Sequence, residues 1–522
     1  MTGPSPRDDP SRSAIDRAIA AAYALGAAGR SRAGFDTLNP LLAQHPEHPA
    51  LLFAVGRLAQ GAGLLEQAEA AYREVLRLQP SSVEAATNLA NVLVGRDEVA
   101  SALTILQRIH ALAPTLVPVA SSLAAARLAD GDAEEALRLY SKLIDQEPDN
   151  ARHHANQAEA LAHLDRHVDS LAALDRATAL APNDPDIEFN RSIALLTVGR
   201  LEEGFAAYEA RLNPARPDAP RREGLALPRW DGSALTGPLL VVAEQGLGDE
   251  IRFAAGLAAL SDSGIRDLVV EIEPRLVTLL ARGLPWATVR PHVRRTEGGR
   301  RPVFQYSWLN QLTRPPVAWI ELGSLPLRLG AVRAQPMTAS GFLAADPVRL
   351  ARAGSRLPSV ASSRLRVGLV WSSGVATHAR RAFYPPLEVF GPLLTAPNIL
   401  TIDLQYVDSH ADRARFREQF GAAPLPIEDL DKRNDLDGLA AAITQLDAVV
   451  AINGSTAALA AALGVPTLEL HRGETWIPRI GARDYWLGSL RPIAPDTPGD
   501  WKAAVQHSLD ALRHITRRQR PV

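Results

Sequence analysis

The sequence predicts an α + α/β protein, in which an α-helical repeat array is followed by two doubly wound halves built on parallel sheets. Two observations support this prediction. Prolines recur every 34 residues through the first part of the chain, and a 34-residue period is typical of stacked helical hairpins. After about residue 236, short runs of Val, Ile and Leu alternate with helical stretches, which is typical of strands that helices cover on both faces.

The same 34-residue period is found in the prolines and in the small residues at positions where two helices must approach closely. The prolines are Pro46, Pro80, Pro114, Pro148 and Pro182. Small residues recur in the first helix at Ala22, Gly56, Ala90, Ala124, Ala158 and Ser192, and twelve residues later at Gly34, Ala68, Ala102, Ala136, Ser170 and Gly204. Small side chains allow helix axes to approach. We therefore predict about six hairpins over residues 13–213, preceded by a polar, proline-rich leader, 1–12, that is disordered.

In four of the repeats, the residue two positions before the small residue of the first helix is polar. These residues, here called the polar column, are Asn88, Ser122, Asn156 and Asn190. A carboxamide offers one acceptor and two donors, so it can pair with a peptide unit without selecting its side chain. The column is therefore a candidate polypeptide-binding surface. The sequence leaves open the alternative that these are solvated surface residues.

Residues 214–235 are rich in proline and arginine and follow no period, so they are predicted to form a linker. Strands are then predicted at 239–244, 267–273, 366–371, 399–405, 447–453 and 467–471. A stretch rich in Arg, Pro and Gly, from about 295 to 363, is predicted to join two halves. The expected boundaries of these halves are 236–345 and 364–522.

The first predicted strand ends in EQGLGDE, where Gly246, Gly248 and Asp249 lie at the start of a helix. The ligand cleft of a parallel sheet lies at the carboxyl ends of its strands, and glycine lets a substrate approach the backbone. The spacing matches neither a dinucleotide fingerprint nor a P-loop. An acid also stabilises a helix N-terminus, so an ordinary strand-to-helix turn explains this corner equally simply.

A second glycine corner follows the strand at 447–453. Its residues are Asn453, Gly454, Ser455 and Thr456. Free amides, hydroxyls and the helix dipole make such a corner a natural phosphate site. The segment WSSGVATHARR at 371–381 adds Ser372, Ser373, Arg380 and Arg381, and arginine can hold phosphate oxygens in a bidentate manner. We therefore predict donor binding in the second half and acceptor binding in the first.

Four segments carry a resemblance to a known group: RWDG, EQGLGDEIRFA, GLVWSSG and LDAVVAINGSTAALAAALGVPTLEL. From residue 228 onward the chain resembles bacterial glycosyltransferases fused to tetratricopeptide repeats, whose second domain is similar to the heptosyltransferase-type GT-B fold. The preceding array resembles the tetratricopeptide repeat family. Its polar column looks like the asparagine ladder of eukaryotic O-GlcNAc transferase, which holds acceptor polypeptides.

The resemblance implies a metal-independent, inverting glycosyltransferase with no cofactor and a nucleotide sugar as donor. In heptosyltransferase-like enzymes the aspartate of the Gly-Asp corner is the general base, and Asp249 occupies that place, with Gly246, Gly248 and Glu250 in the acceptor-side loop. Glu250 and Glu244 are possible substitutes. A base is required because an alcohol is a poor nucleophile until its proton is being removed.

The same resemblance suggests the substrates. Members of the group include enzymes that decorate flagellin with nonulosonic acids such as pseudaminic acid, and they use the repeats to recruit flagellin. The implied function is therefore O-glycosylation of Ser or Thr in a polypeptide, with flagellin as the expected partner.

Two departures from the family pattern affect the donor site. Relatives usually carry an Asp-Thr-Ala-x-x-His element, whereas this chain has Asn453 in place of the aspartate and Ala458 in place of the histidine. Relatives often carry a lysine after the tryptophan, where this chain offers His378, Arg380 and Arg381. The departures are compatible with another donor, such as a CMP-linked sugar, or with a site that does not catalyse. The alternatives are a non-catalytic repeat adaptor and a transferase acting on lipid or polysaccharide.

A group of side chains after the last predicted strand admits two interpretations. The group is His471, Arg472, Glu474, Trp476 and Arg479. These side chains either wall a base or sugar pocket or simply cover the edge of the sheet.

Composition limits the other classes of function. The chain has no cysteine, so it forms no disulfide or thiolate metal site. Its formal charge of −2 gives no global basic field for nucleic acid. No apolar run reaches the roughly 18 residues of a membrane-spanning helix. We therefore expect a cytoplasmic protein with a polypeptide and a nucleotide sugar as partners.

Overall fold

The computed structural model describes residues 10–244, 246–297, 301–358, 364–374 and 383–515. The first part of the chain is a series of paired helices. They are α1 (Pro10–Ala27), α2 (Ser31–Gln44), α3 (Pro49–Gly61), α4 (Leu65–Leu78), α5 (Val83–Gly95), α6 (Val99–Leu112), α7 (Val117–Ala129), α8 (Ala133–Gln146), α9 (Ala151–His163), α10 (His167–Leu180), α11 (Pro185–Thr197) and α12 (Leu201–Ala207).

These helices follow the period of the sequence. From α3 onward, the first helices of the hairpins begin at residues 49, 83, 117, 151 and 185, a constant step of 34. The small residues lie where paired helices touch: a methyl group on Gly34 would lie 2.7 Å from the carbonyl oxygen of Ala22. The Ser170 hydroxyl donates a hydrogen bond of 2.8 Å to the carbonyl oxygen of Ala158. The predicted superhelix of helical hairpins is confirmed.

The second part of the chain contains the strands. They are β1 (Arg221–Glu223), β2 (Leu239–Val242), β3 (Leu268–Ile272), β4 (Thr288–Pro291), β5 (Arg294–Glu297), β6 (Arg301–Gln305), β7 (Ala318–Glu321), β8 (Leu365–Val370), β9 (Ile399–Asp403), β10 (Ala448–Ile452), β11 (Thr467–Leu470), β12 (Arg479–Ile480), β13 (Arg483–Asp484) and β14 (Leu490–Ile493). A strand lies within or overlaps each of the six segments that the apolar runs predicted.

Helices connect and cover these strands. They are α13 (Leu247–Phe253), α14 (Ala255–Asp262), α15 (Val277–Gly283), α16 (Leu325–Leu329), α17 (Pro347–Arg356), α18 (Gly391–Thr395), α19 (His410–Phe420), α20 (Leu436–Thr444), α21 (Ser455–Ala462) and α22 (Trp501–Leu512). Within the described residues, no helix combines the length and apolar character needed to cross a lipid bilayer.

Two main sheets are formed, and all of their strands run parallel. The first has the order β4-β3-β2-β7 and the second the order β14-β11-β10-β8-β9. Strands β2, β3, β8 and β10 are buried along their whole length, which explains why their sequences are continuous apolar runs. The prediction of parallel sheets is confirmed.

Three chain segments differ from the sequence-based expectation. Helix α1 begins at Pro10, inside the expected leader, and residues 1–9 lie outside the described residues. The expected linker, 214–235, contains β1, which pairs with β6, and it also buries Trp230. The expected join, 295–363, contains β7 of the first sheet. Strand β1 is Arg-Arg-Glu and has no apolar pattern, so its pairing with β6 is what stabilises it, and β7 lies in a proline-rich context that hides its apolar residues.

The last repeat and both sheet-containing halves share one hydrophobic core. The ring of Phe205, from α12, lies 5.3 Å from the ring of Tyr485 and 6.1 Å from that of Trp486. The Trp486 ring lies 4.9 Å from that of Phe253, at the end of α13. Buried aromatic side chains contribute strongly to packing energy. The array is therefore packed firmly against the two halves.

Candidate functional site

The strand orders locate a crevice in each main sheet. In the second sheet the strand order reverses between β8 and β10, because β9 is added on one side of β8 and β10 on the other. In the first sheet it reverses between β2 and β7, because β3 and β4 extend the sheet on one side of β2 and β7 is added on the other. Ligands of open parallel sheets bind at such switch points, outside the carboxyl ends of the strands. Ser372 and Asn453 follow β8 and β10, and Gly246 follows β2. These three predicted residues thus lie at the two switch points.

Helices α13 and α21 bring the two glycine corners together. A methyl group on Gly248 would lie 3.3 Å from the backbone nitrogen of Ser455 and 3.7 Å from the carbonyl carbon of Gly454. Methyl groups on Gly246 or Gly454 would meet no atom of the described residues within 4 Å. Glycine at position 248 therefore permits the close approach of the two halves, whereas Gly246 and Gly454 border open space.

Replacing Gly248 by Val is expected to lower the free energy of unfolding by about 1–3 kcal/mol, because the branched side chain must displace the backbone at Ser455. Urea denaturation followed by circular dichroism measures this change. Gly246→Val is the matched control, since its φ of −82° and ψ of 166° suit a β-branched residue and its surroundings are open. Equal stability of the two variants would argue against the close approach.

A cleft of about 820 Å³ lies between the last repeats and the carboxyl ends of β10 and β11. Helices α9, α10 and α11 form one wall of this cleft. Asp249, in the first turn of α13, lines the cleft together with Asn453 and with Asn190 of α11. One member of the polar column and the predicted base therefore face the same space.

The polar column runs from this cleft along the array. Asn190 is exposed in the cleft, and Asn88, Ser122 and Asn156 are half-buried on successive hairpins. None of the four side chains forms a hydrogen bond within the described part of the protein. Their polar groups are therefore available to a bound chain.

Asp249 is half-buried, and its surroundings affect its basicity. Burial raises the pKa of its carboxyl group; the charge of Arg252 opposes this effect and that of Glu244 adds to it. A carboxylate with a raised pKa is a better proton acceptor than an ordinary aspartate, provided that it is ionised at the working pH. The position at the cleft and the raised pKa both suit a general base.

The two alternative acids are turned away from the cleft. Glu250 is 2% exposed, and its Oε2 accepts a hydrogen bond of 2.7 Å from the backbone N–H of Glu273. Burial raises the pKa of Glu250 to about 8. Both oxygens of the buried Glu244 accept hydrogen bonds of 2.9 Å from the guanidinium group of Arg211, at the end of the array. Neither acid is a free base at the cleft.

A buried ionic cluster joins the two halves behind Asp249. Arg252 of α13 donates a hydrogen bond of 2.9 Å to Glu469 of β11 and also pairs with Asp484. Although burial acts in the opposite direction, Arg252 and His471 hold the pKa of Glu469 below its ordinary value. The ring of His471, which lines the cleft, lies 2.9 Å from Glu469. The sequence analysis did not identify this cluster.

The predicted donor residues after β8 are held by the loop after β9. The Gln405 side-chain amide donates to the carbonyl oxygen of Ser372 at 2.6 Å and to its hydroxyl at 2.8 Å. The Ser373 hydroxyl lies 3.0 Å from the hydroxyl of Tyr406. The other two predicted donor residues, Arg380 and Arg381, lie outside the described residues.

Ser455 and Thr456 line a second, smaller cavity of about 140 Å³. Its wall also includes residues that the sequence analysis did not select, namely Tyr406, Arg275, Lys432 and Arg433. Six of the ten residues of segment 429–438 are charged, which is typical of a solvated loop, so nothing in its sequence distinguishes Lys432. In the structure the Lys432 ammonium group donates to Asp403 Oδ1 at 3.0 Å and to its carbonyl oxygen at 2.9 Å. Packing against β9 places this cation at the cavity.

The segment after β11 forms part of the cleft wall. His471, Arg472, Glu474 and Trp476 all line the cleft. Arg472 donates to the carbonyl oxygen of His163 at 3.0 Å and to Asp165 at 3.4 Å, so the segment is docked on the turn between α9 and α10. For these four side chains the structure favours the pocket wall, whereas Arg479, the fifth member of the group, pairs with Glu474 and is not part of the described lining. No group of three or more His, Cys, Asp or Glu side chains in the described ranges is arranged to hold a metal ion.

The fold and the cleft define a tetratricopeptide-repeat protein with a parallel-sheet α/β portion. Residues 14–181 match the family model described as tetratricopeptide repeat. The chain is 30% identical over 484 residues to protein FlbA of Caulobacter vibrioides, and the match covers 90% of this chain and 80% of that protein. The chain therefore belongs to the family of protein FlbA.

Several solved structures with similarity to the chain are tetratricopeptide-repeat proteins. The tetratricopeptide-repeat protein TTC0263 of Thermus thermophilus is 20% identical, with a TM-score of 0.33 over 35% of this chain and 99% of that chain. YrrB, a tetratricopeptide-repeat protein with an unusual peptide-binding site, is 19% identical, with a TM-score of 0.27 over 34% of this chain and 94% of its own.

Proposed function

We propose that the protein is a GT-B-type glycosyltransferase that moves a sugar from a nucleotide donor to a Ser or Thr hydroxyl of a polypeptide. The observation that carries this proposal is the shared cleft, in which Asp249 faces the same space as Asn190 of the repeat array. A polypeptide bound along the array would thus reach a carboxylate at the meeting point of two glycine corners. Flagellin is the proposed acceptor, and a nonulosonic acid such as pseudaminic acid is the proposed sugar.

In this proposal the acceptor hydroxyl gives its proton to Asp249 as its oxygen attacks the anomeric carbon. The bond from that carbon to the phosphate oxygen breaks on the opposite face, and the nucleotide leaves with the electron pair. The backbone amides at the start of α21, near Gly454 and Ser455, suit the phosphate charge. Arg275 and Lys432 at the second cavity would also offset this charge.

The strand orders support the proposed division between donor and acceptor halves. Each main sheet has a switch point, and the corners at these points approach so closely that a methyl group on Gly248 would lie 3.3 Å from the backbone nitrogen of Ser455. A bound donor in the second half and an acceptor in the first would therefore meet at one place. A CMP-linked sugar is the proposed donor.

The test is the intact mass of flagellin from cells with and without the gene, combined with identification of the nucleotide released by the purified protein. We expect a mass increment only in cells with the gene, and its size would identify the sugar. Release of CMP would identify the donor. Equal flagellin masses, with flagellin still bound to the repeats, would contradict transfer to this acceptor and favour the adaptor alternative.

A further inference from the structure

We propose that Glu159 makes the cleft selective for a polypeptide segment that carries a lysine or arginine side chain. The inference rests on the proposed function in one respect, because it assumes that the cleft holds the polypeptide acceptor. Its own basis is the charge distribution along the cleft wall.

Glu159 lies on α9 and lines the cleft with Ala155 and Ala162, which share its helix face. Its carboxylate makes no hydrogen bond or ion pair with the described residues. The side chain is open to the cleft, yet the surrounding walls desolvate it in part and raise its pKa. Desolvation of a charge without a partner is unfavourable, and a cation from a bound molecule would relieve this cost.

The other charged side chains of the described cleft wall have partners or a nearby opposite charge. Asp165 pairs with Arg472, Glu474 with Arg479 and His471 with Glu469. The charge of Arg252 partly offsets the effect of burial on the pKa of Asp249, which remains raised. Burial, followed by the charge of Arg472, lowers the pKa of His163, so this histidine is neutral at pH 7 and gives Glu159 no counter-charge. Among the acidic side chains of the described cleft wall, Glu159 is thus the one that has no nearby positive charge and can pair with a cation of the ligand.

The surroundings of Glu159 suit a long cationic side chain. The alanines on its helix face leave room for an aliphatic stem, and the carboxylate accepts hydrogen bonds from an ammonium or guanidinium head. An acidic segment would place like charges together in a partly desolvated space. The structure thus favours a basic residue within the bound segment.

A peptide selection tests this inference. A library of short synthetic peptides with a central Ser or Thr and randomised flanking positions is bound to the full chain, and the retained sequences are counted. We expect Lys or Arg to be enriched at one flanking position. In Glu159→Gln the enrichment should fall about tenfold, and in Glu159→Arg it should change to Asp or Glu. Glu134→Gln, at an exposed position of α8 outside the cleft lining, is the matched control and should keep the wild-type preference.

Identical preferences in the wild type and both Glu159 variants would overturn the inference, and so would a wild type that enriches no basic residue. Thermal unfolding of each variant checks that the fold is intact. The selection measures binding, so Asp249→Asn should keep the Lys or Arg preference. Absence of sugar transfer by the wild-type protein, with this preference retained, would contradict the proposed function alone.

Discussion

Replacing Asp249 by Asn is expected to reduce the rate of sugar transfer by about 10²–10⁴-fold, because the variant cannot accept the proton of the acceptor hydroxyl. Asparagine has nearly the same shape, and its neutral side chain suits the partly buried position. Polypeptide and nucleotide binding should therefore be retained. The rate is measured by the mass of the acceptor polypeptide over time, and binding by fluorescence titration with labelled nucleotide.

The pH dependence of the wild-type rate provides an independent check. Only the deprotonated carboxylate of Asp249 can accept a proton, so the rate should rise with pH through the pKa of this group. Burial raises that pKa, and the step should therefore lie above the ordinary value of about 3.9 for aspartate. The residual rate of Asp249→Asn should show no such step.

Glu250→Gln is the matched control for the assignment of the base. Glu250 is adjacent to Asp249 in sequence but faces the end of β3, where an amide oxygen can still accept the N–H of Glu273. With a pKa of about 8, Glu250 is mostly protonated at neutral pH, so glutamine is a close substitute. The transfer rate should be unchanged. A loss as large as that of Asp249→Asn would move the base away from Asp249.

Replacing Arg252 by Met is expected to lower the free energy of unfolding by about 3–5 kcal/mol. The change leaves the carboxylates of Glu469 and Asp484 buried without their shared cation, and Arg252 also connects α13 of the first half with the second half. Urea denaturation followed by circular dichroism and tryptophan fluorescence measures the loss. Wild-type stability in this variant would show that the ionic cluster contributes little.

A triple variant separates the loss of charge balance from the loss of packing. Arg252→Met combined with Glu469→Gln and Asp484→Asn removes all three charges while it keeps similar volumes. The oxygen of the new asparagine can still accept the backbone N–H groups of Trp486 and Leu487. Most of the lost stability should therefore return. No recovery would assign the effect of Arg252→Met to packing.

The sequence predicted those parts of the fold in which a local rule repeats. The 34-residue period of Ala22, Gly56 and Ala90 marked the helix contacts, because the same close packing of two helices recurs in each hairpin. Strands β2 and β10 were predicted because their burial on both faces requires continuous apolar runs. Strand β1 was missed because its three residues are all charged, and β7 because it lies in a stretch rich in Arg, Pro and Gly.

The candidate site was predicted in part, for a topological reason. Parallel strands present their carboxyl ends at one edge, so Asp249 and Asn453 could be placed there from the strand pattern. Glu159 resembles any other surface acid of a helix, and only its place in the cleft distinguishes it. The ion pair of Arg252 with Glu469 joins residues 217 positions apart, and no local pattern encodes it.

The contact of Phe205 with Trp486 bears on how this protein can evolve. A repeat array is commonly regarded as an exchangeable module, yet here its last hairpin completes the interior of the neighbouring part. Recombination at residue 213 would therefore leave Trp486 without part of its packing and Glu244 without the cation of Arg211. New binding specificity of the array should therefore arise by substitution or by gain and loss of internal hairpins, with the final hairpin inherited together with the sheets.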